Sequence, residues 1–429
     1  MSNSPLKIAL AGLGTVGGGT VSLLHDQAAL LEGRAGRALD LVAVSALELP
    51  PGLPVGKAAF FSDARKMAVE ADYDVLVELI GGSGGIALEI VKSALARGKH
   101  VVTANKAMIA HHGVDLARLA ETLGAQIGFE ASVGGGIPII KSLREGLAGN
   151  RITQVMGILN GTCNYILTTM RATGRDFADV LAEAQKLGYA EADPSFDIDG
   201  VDTAHKLAIL ASLAFAAPVN IDSVTCEGIR HVSALDIQYA DELGYRIKLL
   251  GVARQNAHGI ETRVYPAMVP LSFPLAHVDG VFNAIVTEGD FVGRTVLEGR
   301  GAGARPTASA VVADLVDIAR GHVTPTFGVP LSNLKPLPAA PLEAHTSAYY
   351  IRLMVRDEPG VFAEIAAALR DEQVSMEKII QRGRAPGEAV PVVMTVHETQ
   401  ESSMQKALAR IGALQAMAEP PHMIRIESA

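Results

Sequence analysis

Cysteine is scarce in this chain of 429 residues, where it occurs twice, at Cys163 and Cys226. Two thiols are too few for a disulfide framework or for a zinc site with four thiolates. The HExxH motif of many catalytic zinc sites is missing as well. The composition therefore fits a reducing compartment and gives no sign of a catalytic zinc.

Clusters of Lys and Arg are also missing, and the formal net charge is -9, which argues against nucleic-acid or anionic-membrane partners. The longest apolar stretch, 207–217, ends at Pro218 and is well short of the roughly 20 residues that span a bilayer. The start, MSNSPLKIALAGLG, leads into a strand pattern rather than a signal segment. We expect a cytoplasmic protein that binds small molecules, with no nucleic acid and no membrane partner.

The chain is too long for one ordinary core, and its 43 glycines suit a glycine-punctuated α/β protein of two or three domains. Residues 7–130 alternate strand-like runs with helical segments, which predicts a doubly wound parallel sheet. Longer helices and then strand-like runs follow, typical of an α+β domain. The last part reads strand, helix, strand, strand, helix, strand. The predicted units are 1–130, 131–300, a linker at 326–347, and 348–429.

A glycine-rich loop follows the first predicted strand and precedes a helical pattern. Such glycines let a pyrophosphate approach the backbone, and the helix N-terminus favours its charge, so we predict a dinucleotide site. A turn without a ligand is the alternative. The acid expected after the second strand comes late, at Glu48, with no base before Lys57, so NAD and NADP both stay open. The predicted cofactor-binding residues are Gly12, Leu13, Gly14, Thr15, Val16 and Gly17.

The fourth predicted strand of this domain ends in the sequence Thr103-Ala104-Asn105-Lys106. The carboxyl ends of strands near the point where strand order reverses line the ligand crevice of open α/β sheets. Thr103 and Lys106 are therefore candidate site residues. An exposed loop lysine is the alternative for Lys106.

An acid-rich segment, GYAEADPSFDIDGVDTAHK, runs from Gly188 to Lys206 and precedes the apolar run LAILASLAF. A helix that starts near Gly200 would place Asp202 and Lys206 on one face, four residues apart in the favourable order. The residues that continue this face towards the C-terminal end of the helix are apolar, so the lysine should point to the interior. A salt bridge at a helix start is the alternative. Five acids around one inward lysine exceed what a cap needs and predict a cationic ligand.

Seven motifs along the chain resemble those of homoserine dehydrogenases that carry a C-terminal ACT domain. They are GLGTVGGG, VVTANK, FEASVGGGIPII, GILNGTCNYIL, GYAEADPSFDIDGVDTAHK, GAGARPTASAVVADL and DEPGVFAEIA. The resemblance implies a Rossmann-like nucleotide domain on which 300–325 packs back, an α+β catalytic domain and a ferredoxin-like ACT domain. It also implies the interconversion of L-aspartate 4-semialdehyde and L-homoserine with NADH or NADPH, in threonine, methionine and isoleucine biosynthesis.

The resemblance assigns roles to the candidate residues. Lys206 would donate the proton, with Lys106 assisting, while carboxylates match the substrate ammonium and favour a protonated lysine. Homoserine oxidation needs Lys206 neutral, so we expect an alkaline optimum for it. The implied residues are Lys206, Lys106 and Asp202 for catalysis, Glu191, Asp197 and Asp202 for the substrate, and Thr103, Lys106, Gly188 and Gly303 for the cofactor.

The loop FEASVGGGIP joins the first two domains. In the family, the carboxylate of Glu130 and the carbonyls of Val133, Gly135 and Ile137 hold a monovalent cation, Na⁺ or K⁺. Oxygen ligands suit such a hard cation. A flexible turn without an ion is the alternative.

In the ACT-like part, residues 357–361 connect the first strand to its helix, where such domains bind amino acids. The resemblance implies feedback inhibition by threonine and a homo-oligomer, either a dimer or a tetramer. A structural turn set by Pro359 and Gly360 is the alternative. Two other functions stay open: another lysine-dependent NAD(P) oxidoreductase, and a non-catalytic amino-acid sensor.

Two polar groups have competing explanations. Asn160-Gly161-Thr162 lies in the family's substrate cleft, but a helix start capped at Thr162 would also explain it. His111 and His112 are adjacent, so on a helix they would point about 100° apart, and we predict a solvated turn for them.

Overall fold

The computed structural model describes residues 4–382 and 388–427. Residues 1–3, 383–387, 428 and 429, which the predicted nucleotide and ACT domains include, lie outside the described residues. Across the described ranges, no helix combines the length and the apolar character needed to cross a membrane. The cytoplasmic location stays a prediction.

A parallel sheet of short strands forms the centre of the first domain. Its strands are β1 (Leu6–Ala11), β2 (Leu39–Ser45), β3 (Ala59–Phe61), β4 (Val75–Glu78), β5 (His100–Thr103) and β6 (Ile127–Gly128). They lie in the order β3-β2-β1-β4-β5-β6, so the order reverses beside β1. The predicted doubly wound sheet is confirmed, whereas the short strand β3 was not predicted.

Helices cover both faces of this sheet because its strands are apolar on both sides. Along β1, Ile8 and Leu10 pack towards α1 and α2, while Ala9 and Ala11 pack towards α3, α4 and α5. The alternation along β1 therefore separates two cores. The five helices are α1 (Thr15–Asp26), α2 (Ala28–Ala35), α3 (Ala64–Glu70), α4 (Gly85–Ala96) and α5 (Lys106–Leu123). His111 and His112 lie within α5, so the predicted solvated turn is wrong.

The second domain, which the resemblance implies is the catalytic one, combines a sheet with helices packed on it. Its helices are α6 (Ile139–Lys141), α7 (Gly161–Thr173), α8 (Phe177–Lys186), α9 (Ser195–Ile198), α10 (Val201–Phe215) and α11 (Ala234–Leu243). Its strands are β7 (Ile152–Ile158), β8 (Thr225–Cys226), β9 (Tyr245–Asn256), β10 (Gly259–Pro270), β11 (Phe282–Gly289) and β12 (Gly293–Arg300). Helix α10 is buried along almost its whole length, as its apolar sequence predicts.

The chain then returns to the nucleotide domain through α12 (Ala304–Arg320). This helix packs against α1 so closely that a Cβ atom at Gly19 would lie 2.7 Å from the carbonyl oxygen of Ala304. Its apolar side chains, including Val311 and Leu315, complete the same core as α1 and α2. The segment 300–303 before α12 is thereby held between the two domains.

The C-terminal part has the predicted order of elements. They are β13 (Thr346–Arg356), α13 (Val361–Asp371), β14 (Met376–Gln381), β15 (Ala389–Gln400), α14 (Glu401–Gly412) and β16 (His422–Ile426). Strand β16 also pairs in parallel with β10, with Ala267 opposite Arg425. Among the described residues this joins the catalytic and ACT strands into one ten-stranded sheet, in the order β12-β11-β7-β9-β10-β16-β13-β15-β14, with β8 beside β10. The sequence did not predict this continuity.

Candidate active site

A cleft of about 530 Å³ lies between the nucleotide and catalytic domains. The N-terminal ends of α5, α7 and α10 meet here, together with the segment before α12. We call it the interdomain cleft. Its lining consists of Val16, Ala104, Lys106, Ala131, Asn160, Gly161, Thr162, Gly188, Tyr189, Asp197, Asp202, Lys206, Val281, Asn283, Arg300, Gly301, Ala302, Gly303 and Thr307.

Two lysines and one aspartate form an ion cluster in this cleft. One carboxylate oxygen of Asp202 lies 2.6 Å from Nζ of Lys206, and the other lies 3.0 Å from Nζ of Lys106. Lys206 also donates to the carbonyl of Leu159 at 2.7 Å. Burial alone would raise the pKa of Asp202, but Lys206 and then Lys106 hold it well below its usual range. Asp202 is therefore ionised at neutral pH.

The local sequence explains why Lys206 points inward. Gly200 caps α10 with a φ of 87°, and a Cβ there would lie 2.8 Å from Val264, so glycine fits both the turn and the contact. Asp202 and Lys206 then fall on one helical face, as predicted. The side chain of Lys206 is 11% exposed, and it lines the interdomain cleft.

Asn160, which the resemblance places in the substrate cleft without a catalytic role, connects the acidic groups. Its side-chain oxygen caps α7 by accepting from the amide of Cys163, so the cap is Asn160 rather than Thr162. Its side-chain nitrogen donates to both Asp197 and Asp202, each at 2.9 Å. Two acids are thus held side by side through one amide.

The glycine-rich loop has the geometry of a phosphate cradle. Gly12 has a φ of 101°, and a Cβ at Gly17 would lie 1.8 Å from the carbonyl oxygen of Gly12, so neither position accommodates a side chain. Gly14 has open space in front of it, at the start of α1. These are the roles of turn, close packing and ligand approach in dinucleotide loops.

A second cavity of about 730 Å³ extends from this loop along the carboxyl ends of β1, β2 and β4. Gly12, Leu13 and Gly14 line it, whereas Val16 lines the interdomain cleft. The charged residues in its lining are two acids, Glu48 and Asp63, and one base, Arg65. Arg65 forms an ion pair with Glu89. Thr15 is the first residue of α1, and Gly17 is buried within it.

Four of the other predicted residues differ in their relation to the cleft. Gly188 and Gly303 line it, with φ values of 75° and 115°. Thr103 is fully buried beneath it and donates its hydroxyl to Glu78 at 2.6 Å. Glu191 is exposed, and the cleft lining drawn from the described residues does not include it.

Glu130 lies in the turn between the two domains and is 2% exposed. Its carboxylate accepts from the amides of Ile140 and Lys141, at 3.0 and 2.8 Å. Burial, and then the nearby carboxylate of Asp314, raises the pKa of Glu130 to about 7. A cation bound beside this carboxylate would stabilise its ionised form, and would therefore lower the pKa of Glu130 against the effects of burial and Asp314. Across residues 4–382 and 388–427, His, Cys, Asp and Glu form no group of three that could hold a metal.

Three consecutive segments of the chain match profiles of known families. The profile described as "Homoserine dehydrogenase, NAD binding domain" matches residues 12–130, "Homoserine dehydrogenase" matches 138–316, and "ACT domain" matches 349–415. The cleft lies where the first two matches meet.

Similar proteins extend this comparison over the whole length. Homoserine dehydrogenases of Neisseria gonorrhoeae and Pseudomonas aeruginosa are 48% and 46% identical, each over 99% of both chains. The crystal structure of a homoserine dehydrogenase from Thiobacillus denitrificans is 45% identical, with a TM-score of 0.93 over 99% of this chain and 98% of that one. A hyperthermophilic archaeal homoserine dehydrogenase in complex with NADPH is 28% identical, with a TM-score of 0.63 over 77% of this chain and all of that one. The chain therefore belongs to the homoserine dehydrogenase family, and it is an oxidoreductase with NAD-binding, catalytic and ACT domains.

Proposed function

We propose that this enzyme interconverts L-homoserine and L-aspartate 4-semialdehyde with Lys206 as the proton acceptor and donor. The observation that carries the proposal is the position of Lys206, whose Nζ is fixed by Asp202 and Leu159 at the wall of the interdomain cleft. In oxidation, neutral Lys206 accepts the proton of the substrate hydroxyl while a hydride leaves the carbon that carries this hydroxyl. In reduction, the ammonium returns that proton to the oxygen.

The nicotinamide dinucleotide, when bound, accepts or supplies the hydride. Its pyrophosphate fits the predicted loop, because the glycines leave the amides at the start of α1 accessible. Gly188 and Gly303 border the cleft where the reacting end would lie. Glu48 suits the ribose hydroxyls of NAD, whereas Arg65 reaches a ribose phosphate only by leaving Glu89. We expect both cofactors to work and NAD to be preferred.

The substrate ammonium is assigned to the acids of the cleft. Asp197 and Asp202 both line it, and Asn160 holds them together. Lys106 is the second cation beside Asp202, and it supplies charge for the developing oxyanion or for the substrate carboxylate. Glu191 joins this set only if the segment 188–193 shifts towards the cleft.

Na⁺ or K⁺ is the cation we assign to Glu130, with the carbonyls of Val133, Gly135 and Ile137 as further ligands. The donor set fits, since it contains oxygen alone and its carboxylate is buried without a cationic partner at contact distance among the described residues. Its role would be to fix the turn between the domains. This turn packs tightly, because a Cβ at Gly135 would lie 2.5 Å from the carbonyl oxygen of Gly301.

Threonine is the effector that we assign to the ACT domain, through residues 357–361 between β13 and α13. Strand β14 is the outer strand of that domain's sheet and has exposed apolar side chains, Met376 and Ile379. An exposed edge strand pairs readily with another strand, which supports a homo-oligomer. Homoserine oxidation measured with and without threonine tests this assignment, and unchanged rates at saturation would contradict it.

The deciding experiment compares substrates. Initial rates are measured for L-homoserine and for 4-hydroxybutyrate, which has the same alcohol and no α-ammonium, with NAD and with NADP. We expect L-homoserine to be preferred by about 100-fold or more, because unpaired buried carboxylates disfavour the analogue. Equal rates for both alcohols would indicate a different oxidoreductase, and no oxidation with either cofactor would indicate a sensor.

A further inference from the structure

Two histidines form a contact between the nucleotide and catalytic domains beside the ion cluster. His205 precedes Lys206 on α10, and His111 lies on α5, the helix that begins at Lys106. Their Nε2 atoms are 3.3 Å apart, and the rings meet edge to face with centroids separated by 5.3 Å. The two helices that carry the catalytic cations are therefore linked by this pair.

Phe196 completes the contact. Its ring stacks on His205 at 5.6 Å, with 26° between the planes, and Nζ of Lys106 lies 5.7 Å from the same ring. His205 itself is 7% exposed, whereas His111 is exposed. Lys106 thus has two neighbours that fix its position, Asp202 on α10 and Phe196 beside His205.

The hydrogen bond between two imidazoles limits their protonation. One ring must donate and the other must accept, so at least one of the two is neutral. Burial lowers the pKa of His205 most strongly, and the neighbouring His111 and Lys106 lower it further, although the charge of Asp202 opposes the shift. His205 is therefore the ring that favours the neutral form, and its Nε2 can accept from His111 when His111 is protonated. The other charged or titratable groups nearby are Lys206, next to His205 on α10, and His112, whose ring is 6.4 Å from that of His111.

We propose that His111 and His205 are positioning residues whose hydrogen bond sets the spacing of α5 and α10, and that protonation of both rings breaks it and adds a second, low-pH limb to the pH profile, below the decline that protonation of Lys206 causes. Two imidazolium rings would repel each other and Lys106. Helix α5 would then move away from α10, and Lys106 would separate from Asp202. The proposal rests on the function proposed above, since it assumes that Lys106 and Asp202 act in that reaction.

The test is the pH dependence of kcat/KM for L-homoserine oxidation in three variants. His205→Gln keeps an acceptor that does not titrate, so we expect activity within about threefold of wild type at pH 8 and a low-pH limb displaced by about one pH unit or more to lower pH, while the decline caused by Lys206 stays in place. His205→Phe fills the space without an acceptor, and we expect kcat/KM to fall about tenfold across the range. His112→Gln is the matched control on α5 and should keep the wild-type profile.

An unchanged low-pH limb in His205→Gln would overturn the proposal, and so would wild-type kcat/KM in His205→Phe. If His205→Phe does not fold, the pH profile of His111→Gln takes its place, with the same expectation as His205→Gln. Failure of the underlying function is separately visible, because the wild type would then not oxidise L-homoserine at any pH.

Discussion

Asp202 and Asp236 are both buried beside cations, and of these two aspartates only Asp202 lines one of the large cavities formed by the described residues. In the interdomain cleft, Asp202 pairs with Lys106 and Lys206. Between the catalytic and ACT domains, Asp236 is fully buried and accepts from Tyr350 and Arg352, at 3.0 and 2.8 Å. We call this second region the ACT seam.

The two aspartates have similar electrostatics and different surroundings. Burial would raise the pKa of each, and basic partners hold both below the usual value. The second oxygen of Asp236 accepts from Ser233, which closes a capping box on α11. Protein donors therefore use both oxygens of Asp236. Around Asp202, the lysines and Asn160 line the cleft, where a ligand can reach them. Access to a cavity, rather than burial of charge, distinguishes the catalytic cluster from the structural one.

Among substitutions of the two aspartates, the larger effect on catalysis is expected for Asp202→Asn. The substitution removes the charge that fixes two lysines and one partner of the substrate ammonium. We expect kcat/KM for L-homoserine to fall about 100-fold or more, with the midpoint of urea unfolding close to wild type. Steady-state kinetics and urea titration of the same preparation check this. A variant within a few-fold of wild type would show that the cluster is not catalytic.

Asp236→Asn should lower stability and leave activity nearly unchanged, which is the opposite of the result expected for Asp202→Asn. It leaves Arg352 without its buried counter-charge, so we expect a loss of roughly 3 kcal/mol in unfolding free energy. The rate per folded molecule should stay near wild type. Glu419→Gln is the matched control, because Glu419 lies 3.8 Å from Arg352 with its side chain 59% exposed. That change should cost less than about 1 kcal/mol.

The smallest effect concerns Glu130. Its folded pKa, about 7, lies above the ordinary value of 4.5, so the folded state holds an extra proton between these pH values and stability falls as pH rises through them. A bound cation would offset this loss. We expect Na⁺ or K⁺ to raise the unfolding temperature by about 2 °C at pH 8 relative to tetramethylammonium, and by less at pH 5.

The matched control for this measurement is Glu130→Gln, which should abolish the difference between cations at both pH values. An equal effect of Na⁺ or K⁺ at pH 5 and pH 8 would show that ionised Glu130 is not a ligand.

The sequence predicted those parts of the site that depend on local spacing. The pair Asp202 and Lys206 follows from helical periodicity, and the roles of Gly12 and Gly17 follow from backbone sterics. The domain types and the order of elements in the ACT part were also predictable, because hydrophobic periodicity determines them.

Contacts between distant segments could not be read from spacing. Pairing of β10 with β16 joins residues more than 150 positions apart in the chain, as Ala267 and Arg425 show, and the sequence contains no signal for it. The same holds for Asn160, which bridges two acids about 40 residues further on, and for the burial of Thr103 beneath the cleft. The exposed position of Glu191 could not be predicted from the sequence either.

Lys248 provides the most direct test of the comparison, because it is the other buried lysine of the catalytic domain. It is 1% exposed, and burial lowers the pKa of Lys248 to about 8 although Asp279 opposes the shift. Asn164, Val278 and Asp279 accept its hydrogen bonds. A perturbed pKa alone would make Lys248 a catalytic candidate. Lys206 lines the interdomain cleft and Lys248 does not, so we interpret Lys248 as structural.

The decisive measurement is therefore L-homoserine oxidation and thermal unfolding of Lys206→Met beside Lys248→Met. We predict that Lys206→Met loses about 1,000-fold in kcat while it still binds the dinucleotide and unfolds near the wild-type temperature. Lys248→Met should unfold several degrees lower, at about the wild-type rate per folded molecule. Near-normal turnover by Lys206→Met, or a loss of turnover by folded Lys248→Met as large as that predicted for Lys206→Met, would contradict the account.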